Sequence, residues 1–340
     1  MTRDQWELLL AVIRGESVSP LPVGFIIDSP WLPNWHGASL LDYFSDNECW
    51  LQANLAAVNA FPQVLFLPGF WAEYGMCSEP ASFGSKCSFY ENEFPFAHPL
   101  ADVLDNIHLP DPRTDGLTPF LLRRLERGRP KIEATGHVLR FAVARGPLNI
   151  ASFLMGATEF LMSLRMEPEK AHRLLDTVTT FLVDWLRLQR EHIDSIDGIL
   201  LLDDIVGFLG KQDFKEFAQP YVTRSFSAFD ASVRFFHNDA HGLVCAPLLS
   251  EMGINLFNFG HAHSMTEMRH LTGDSVTLLG NIPPRDVLAQ GSPAEVEASV
   301  RQLLEELDEP RRTILSCGGG MAPGVPTANI EAFLRAAASR

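Results

Sequence analysis

Positive charge is scarce in this chain. Lys and Arg number 27 against 42 Asp and Glu, a formal charge of −15 over 340 residues. That balance argues against a general nucleic-acid surface or an anionic-membrane surface. A basic N-terminal stretch leading into an apolar run is also missing, so no signal peptide is expected. The apolar stretches are too short or too interrupted to cross a bilayer. Five cysteines, Cys49, Cys77, Cys87, Cys245 and Cys317, form an odd and scattered set. A reduced, cytoplasmic protein with free or metal-bound thiols is expected from them. There is no Cys-x-x-Cys or His-Glu-x-x-His spacing, no low-complexity linker and no exact repeat.

What is present is alternation. Short apolar runs at 22–27, 63–67, 138–143, 198–202, 232–236, 254–257, 275–279 and 313–315 read as strands. Helical patterns lie between them, at 46–60, 150–162, 168–192, 211–230, 243–251, 264–271 and 293–307. Two more flank the set, at 3–14 and 328–338. Buried strands alternating with helices indicate parallel βαβ units. From residue 198 onward polar residues recur just after the strands: Asp203, His237, Asp239, Asn258, His261, Asn281 and Cys317. A (β/α)8 barrel gathers its active site at that strand end. The expected architecture is therefore an α/β barrel forming one domain over residues 1–340. Residues 68–137, rich in Pro and Gly, form irregular structure over its mouth. A doubly wound open sheet is the alternative, but it usually has a Gly-rich first βα turn, absent from 25–35.

The residues at these strand ends have chemistry to offer. His237 and Asp239, two apart, suit a metal site or a general acid/base pair. The competing reading is a turn in which Asp239 caps the next helix. Cys317 could complete an open three-ligand zinc site with them, or be a small buried residue under the glycines that follow. Asp203 and Asp204 end a strand together. Buried side by side they cannot both stay ionised cheaply, so one carries a proton or binds a polar substrate, unless one simply caps a helix. Trp71, Glu73 and Tyr74 after the second strand, with Asp28, Trp31 and Trp35 after the first, could hold a flat or apolar substrate or pack a lid. Asn281 is a candidate hydrogen-bonder in the pocket. Three consecutive glycines at 318–320 mark a place where backbone approaches something closely.

Three segments carry a family likeness: Gly146-Pro147 through Met155-Gly156, Leu278-Leu-Gly280-Asn281-Ile-Pro-Pro284, and Gly319 through Pro323-Gly-Val-Pro326-Thr-Ala-Asn329-Ile330. With them the chain resembles the uroporphyrinogen decarboxylase superfamily over most of its length. The resemblance implies a (β/α)8 barrel with a funnel at the strand C-termini. It also implies one of two activities: cofactor-free decarboxylation of a tetrapyrrole, or methyl transfer between a small methylated compound and a separate corrinoid protein, commonly with zinc.

Departures from the family pattern choose between these. Where the decarboxylase has an Arg-rich segment that grips carboxylates, this chain reads Asp28-Ser-Pro-Trp31-Leu-Pro-Asn-Trp35. The methyltransferase branch has a His-x-Cys and a later Cys. Here His237 matches, Asp239 replaces the first Cys, and Cys317 lies two positions before the place of the second, Gly319. The implied function is demethylation of a small methylated substrate, such as an aryl methyl ether, with transfer to a partner corrinoid protein. Candidate catalytic groups are Glu73, Asp204, His237 and Asp239. Candidate metal ligands are His237, Asp239 and Cys317. Candidate substrate contacts are Asp28, Trp31, Trp35, Trp71, Tyr74, Asp203 and Asn281. The alternatives are a decarboxylase or lyase acting on a smaller acid held by Arg145, and a non-enzymatic tetrapyrrole or corrinoid binder.

Overall fold

The computed structural model describes residues 1–308 and 310–338. Eight parallel strands carry the architecture: β1 (Gly24–Ile26), β2 (Leu65–Leu67), β3 (Phe141–Arg145), β4 (Gly198–Leu202), β5 (Val233–Asn238), β6 (Leu256–Phe259), β7 (Thr277–Ile282) and β8 (Thr313–Cys317). β3 to β8 form one continuous six-stranded parallel sheet in chain order, and β1 pairs with β2. A bridge between Val23 and Leu315 joins the two sets. Helices lie outside, including the 25-residue Pro168–His192.

Strand periodicity sorts side chains between two cores. Ile26, Leu65, Leu67, Phe141, Val143, Leu200, Val233, Phe235, Leu256, Leu279 and Ile314 fill the barrel interior. Their neighbours Phe25, Ile27, Phe66, Ala142, Ala144, Ile199, Leu201, Phe236, Phe257, Leu278 and Leu315 pack under the helices. The alternation follows from the period-2 geometry of a strand. The N-terminal helix Arg3–Arg14, closed by a Thr2/Gln5 capping box, turns Trp6, Leu9, Val12 and Ile13 into the interior set and plugs the floor. The opposite end, where the strands finish, is left for polar groups.

The seam between β2 and β3 has no ladder among the described residues. Buried edge groups there need other partners. Gln189, on the long helix, supplies them. Its Nε2 donates to the Val143 carbonyl at 3.0 Å, and its Oε1 accepts from Val143 N at 3.0 Å. The Arg145 N–H donates to Glu79 Oε1 at 3.2 Å.

Residues 68–137 are less irregular than expected. They contain a short antiparallel pair, Cys87–Ser88 with Phe96–Ala97, and a 16-residue helix, Thr118–Glu133. Charged residues and Pro130 obscure that helix in the sequence, although Leu121, Leu122, Leu125 and Ile132 form its buried face.

Candidate active site

The interior face of the strands continues past their C-terminal ends. Two-residue steps from Ile26, Val143, Leu202, Phe235, Leu256, Leu279 and Ile314 place Asp28, Arg145, Asp204, His237, Asn258, Asn281 and Ser316 around the mouth. Asp239 follows His237 by the same step.

His237 is the best-defined group. It is 5% exposed, and its Nδ1 lies 2.8 Å from Asn258 Oδ1. The Asn258 amide nitrogen donates to the carbonyls of Leu279 (2.8 Å) and Cys317 (3.2 Å). The reverse amide orientation would set its oxygen against two carbonyl oxygens, so Oδ1 must face the imidazole. Nδ1 therefore carries a proton, and in the neutral ring it is Nε2 that presents a lone pair to the mouth. Nε2 lies 3.7 Å from Asp204 Oδ1 and 3.9 Å from Asp239 Oδ2. One ligand atom from each of Asp204, His237 and Asp239 falls within 4.8 Å of the others. Asp204 Oδ1 also accepts from Asp239 N at 3.1 Å, which holds the two segments together. Burial raises the Asp204 pKa and the charge of Asp239 adds to the shift, while His237 opposes it.

A second charged group sits across the mouth. Arg145 Nη2 reaches Glu73 Oε2 at 3.2 Å, and its Nη1 lies 3.7 Å from Glu79 Oε2. All three are nearly buried, at 12%, 2% and 3% side-chain exposure. Glu73 Oε1 accepts from Ser29 N at 2.9 Å and so ties the β1 and β2 loops to β3. The guanidinium lies over the Trp71 ring, 5.7 Å from its centroid. Asp28 faces this group and Asp239. Burial, then the charge of Glu73, push its pKa well above the ordinary carboxylate range, and its Oδ1 is buried without a partner.

The three glycines lie between these groups. A Cβ on Gly319, whose φ is +116°, would stand 3.0 Å from Asp239 Oδ2. One on Gly320 would stand 3.3 Å from Asp28 Oδ2. Gly319 and Gly320 are bare because two carboxylates occupy the space that side chains would need, and Gly318 because a Cβ would stand 2.6 Å from His261 N.

Several sequence-derived candidates sit elsewhere. Cys317 belongs to the outer face of β8, is fully buried, and its Sγ lies 3.4 Å from the Gly319 carbonyl. Burial pushes its thiol up to about 12, so it stays protonated. It is not part of the metal-capable trio; Asp204 takes that place. Asp203, also fully buried, accepts from Leu148 N (2.8 Å) and Asn149 N (3.1 Å). It caps the helix Pro147–Met155 rather than reaching a substrate. Gly146 is required there, because a Cβ would stand 2.3 Å from Asp203 Oδ2.

Of the four aromatics, only Trp71 belongs to the interior set. Trp31 is fully buried in the outer layer and donates to the Val325 carbonyl at 3.0 Å. Trp35 packs on Trp31 and Phe61 and bonds Thr327. Tyr74 joins Phe44 and Phe89 beneath Arg124. Asn281 lies at the rim, where its amide nitrogen donates to the His263 carbonyl.

Residues 4–340 match the family described as Uroporphyrinogen decarboxylase (URO-D). The chain belongs to the uroporphyrinogen decarboxylase family. Among curated members, the uroporphyrinogen decarboxylase of Chlorobium phaeobacteroides is 26% identical over 176 residues, 48% of each chain. The methylated-thiol–coenzyme M methyltransferase of Methanosarcina mazei is 23% identical over 224 residues, 65% of this chain and 58% of that protein. The alignments to the first of these curated relatives thus span about half their length. Among solved structures, a methyltransferase from Methanosarcina mazei superposes with a TM-score of 0.81 at 20% identity, covering 97% of this chain and 96% of that one. A B12-independent methionine synthase from Shewanella sp. W3-18-1 superposes with a TM-score of 0.61 at 12% identity, covering 93% and 97%. These likenesses establish the uroporphyrinogen decarboxylase-type barrel. No helix among the described residues is long and apolar enough to cross a membrane.

Proposed function

We propose that this chain is a methyltransferase that removes a methyl group from the oxygen of a small substrate, an aryl methyl ether, and passes it to a corrinoid carried by a separate protein. The reading rests on the trio of Asp204, His237 and Asp239 at the barrel mouth, with the His237 Nε2 lone pair turned toward both carboxylates. The methyltransferase relatives in sequence and in structure support it.

An aryl ether is a poor methyl donor because its leaving phenoxide is unstable unless it is protonated or bound to a Lewis acid. When the carbon–oxygen bond breaks, its electron pair goes to the oxygen, and that oxygen must gain a proton. Asp28, and Asp204 while no cation is bound to it, are the proton sources at the mouth, both held toward their neutral forms by burial. His237, fixed by Asn258, presents Nε2 as an acceptor, so it would serve as a ligand for a cation rather than as a donor to the ether oxygen. A divalent cation fits the same groups: His237 Nε2 with the Asp204 and Asp239 carboxylates would hold it, and it would act as a Lewis acid on the leaving oxygen. This donor set is nitrogen and oxygen, without the thiolates that favour soft metals. That hardness favours an oxygen leaving group over a sulfur one. The corrinoid would accept the methyl group.

The curated decarboxylase relatives keep decarboxylation of a smaller acid as the alternative. That reading needs Arg145 for the substrate carboxylate, and its charge is already compensated by Glu73 and Glu79. The test is to mix the protein with reduced corrinoid, free or protein-bound, and a panel of methoxyarenes, following the methyl-corrinoid absorbance. Methyl-corrinoid formed only with the protein supports the proposal. Its absence with every donor, together with carbon dioxide release from an acid substrate, overturns it.

A further inference from the structure

The charges at the mouth are unequal, and the inequality bears on what can enter. At the C-terminal ends of the strands the interior-facing positions hold Asp28, Asp204 and Asp239, with Arg145 as the one fixed cation among the described residues at those positions. The charge of Arg145 is already compensated. Its Nη2 donates to Glu73 Oε2 at 3.2 Å, Glu79 Oε2 pairs with it by charge at 3.7 Å from Nη1, and Trp71 lies beneath it. With its two glutamates it forms a group of net charge −1 when all are ionised. The adjoining Asp28 Oδ1 is buried without a partner, a placement more costly to an ionised carboxylate than to a neutral acid. A divalent cation at Asp204, His237 and Asp239 would cancel the two aspartates there and leave no surplus positive charge.

We infer that the mouth selects substrates with an uncharged ring and turns away their carboxylated analogues. The inference deepens the methyl-transfer reading, from which it takes only the aryl ether class. The selection follows from geometry: the guanidinium that could anchor a carboxylate is paired with two buried glutamates, and the other interior-facing ionisable groups at the mouth are three acids and the imidazole of His237, which lies between two of them. A ring carboxylate brought within several ångströms of one uncompensated charge in this partly desolvated site loses about tenfold or more in affinity.

The test uses matched pairs on the full chain at low ionic strength: 2-, 3- and 4-methoxybenzyl alcohol against 2-, 3- and 4-methoxybenzoate. Binding is read by calorimetry and ligand-observed NMR. In each pair the alcohol should bind about tenfold more tightly or better, with the gap narrowing at high salt. Glu79→Gln removes one of the two charges that compensate Arg145 and should raise benzoate affinity about tenfold while leaving alcohol affinity in place. Glu73→Gln, should Glu79→Gln fail to fold, should raise benzoate affinity in the same way by removing the other charge that compensates Arg145. A benzoate that binds as tightly as its alcohol, or failure of every alcohol to bind, overturns the inference. So does an unchanged benzoate affinity in a folded Glu79→Gln variant. The methyl-transfer reading fails separately. Selective binding of the alcohols without methyl transfer to any corrinoid sinks that reading alone, and methyl transfer from a benzoate sinks the selectivity alone.

Discussion

Asn258→Leu is the perturbation that bears most on how His237 is prepared. It removes the acceptor for His237 Nδ1–H at 2.8 Å and both donations to the Leu279 and Cys317 carbonyls. Three buried groups lose partners. At about 1–3 kcal/mol for each unsatisfied group, partly relieved by relaxation, the cost in stability is about 3–6 kcal/mol. Against a total of about 5–15 kcal/mol this is a large fraction, so the measurements below are read on the folded fraction. Denaturant unfolding measures that cost. A purely structural residue would stop there. Because Asn258 also fixes the tautomer, its loss should let the His237 proton move between the two nitrogens. Nitrogen-15 NMR of the imidazole reads this directly: Nδ1–H with bare Nε2 in the wild type, a mixture in the variant. Affinity for a divalent cation should fall about 10–100-fold, the usual effect of losing a group that orients a ligating histidine. Asn258→Asp keeps the acceptor, so it should restore the tautomer while leaving the two carbonyls unpaired. Finding the proton on Nε2 in the wild type, or an unchanged tautomer and metal affinity in Asn258→Leu, would refute the reasoning.

Three further outcomes follow from the geometry. Gly319→Ala must adopt φ +116° and crowd Asp239 Oδ2 at 3.0 Å; a loss of about 1–3 kcal/mol should appear in thermal unfolding. Gln189→Leu strips the unladdered edge of β3 of both partners at Val143; urea denaturation should show a loss of about 2–5 kcal/mol, with the mouth chemistry retained in the folded fraction. Cys317→Ala, on the outer face of β8, should leave bound-metal stoichiometry and methyl transfer unchanged, as measured by elemental analysis and corrinoid absorbance. A loss of metal in that variant would return the thiol to the site.

Much of the barrel was legible because buried strands and amphipathic helices announce themselves by period. His237 and Asp239 were legible because both follow an apolar strand. The sequence did not show which face of a strand end each residue occupies. Ser316 and Cys317 are adjacent; the step from Ile314 sends Ser316 inward and Cys317 under the helices. Asp203 and Asp204 present the same ambiguity. The bonds from Asp203 run to a helix more than fifty residues earlier, which no local pattern reveals. Asn258 was visible as a polar residue after a strand. Its role depends on His237, Leu279 and Cys317, which come from three other strands. Aromatics after a strand read alike whether they line a pocket or pack beneath a helix, and Trp31 and Trp71 took opposite courses.

The measurement that tests the central claim most directly is corrinoid methylation by the wild type, His237→Ala and Cys317→Ala, each shown to be folded, with an uncharged methoxyarene as donor. Methyl-corrinoid absorbance should appear with the wild type and Cys317→Ala, and none above background with His237→Ala. Equal methylation by His237→Ala would remove the imidazole from the site, and loss of it in Cys317→Ala alone would put the thiol there instead.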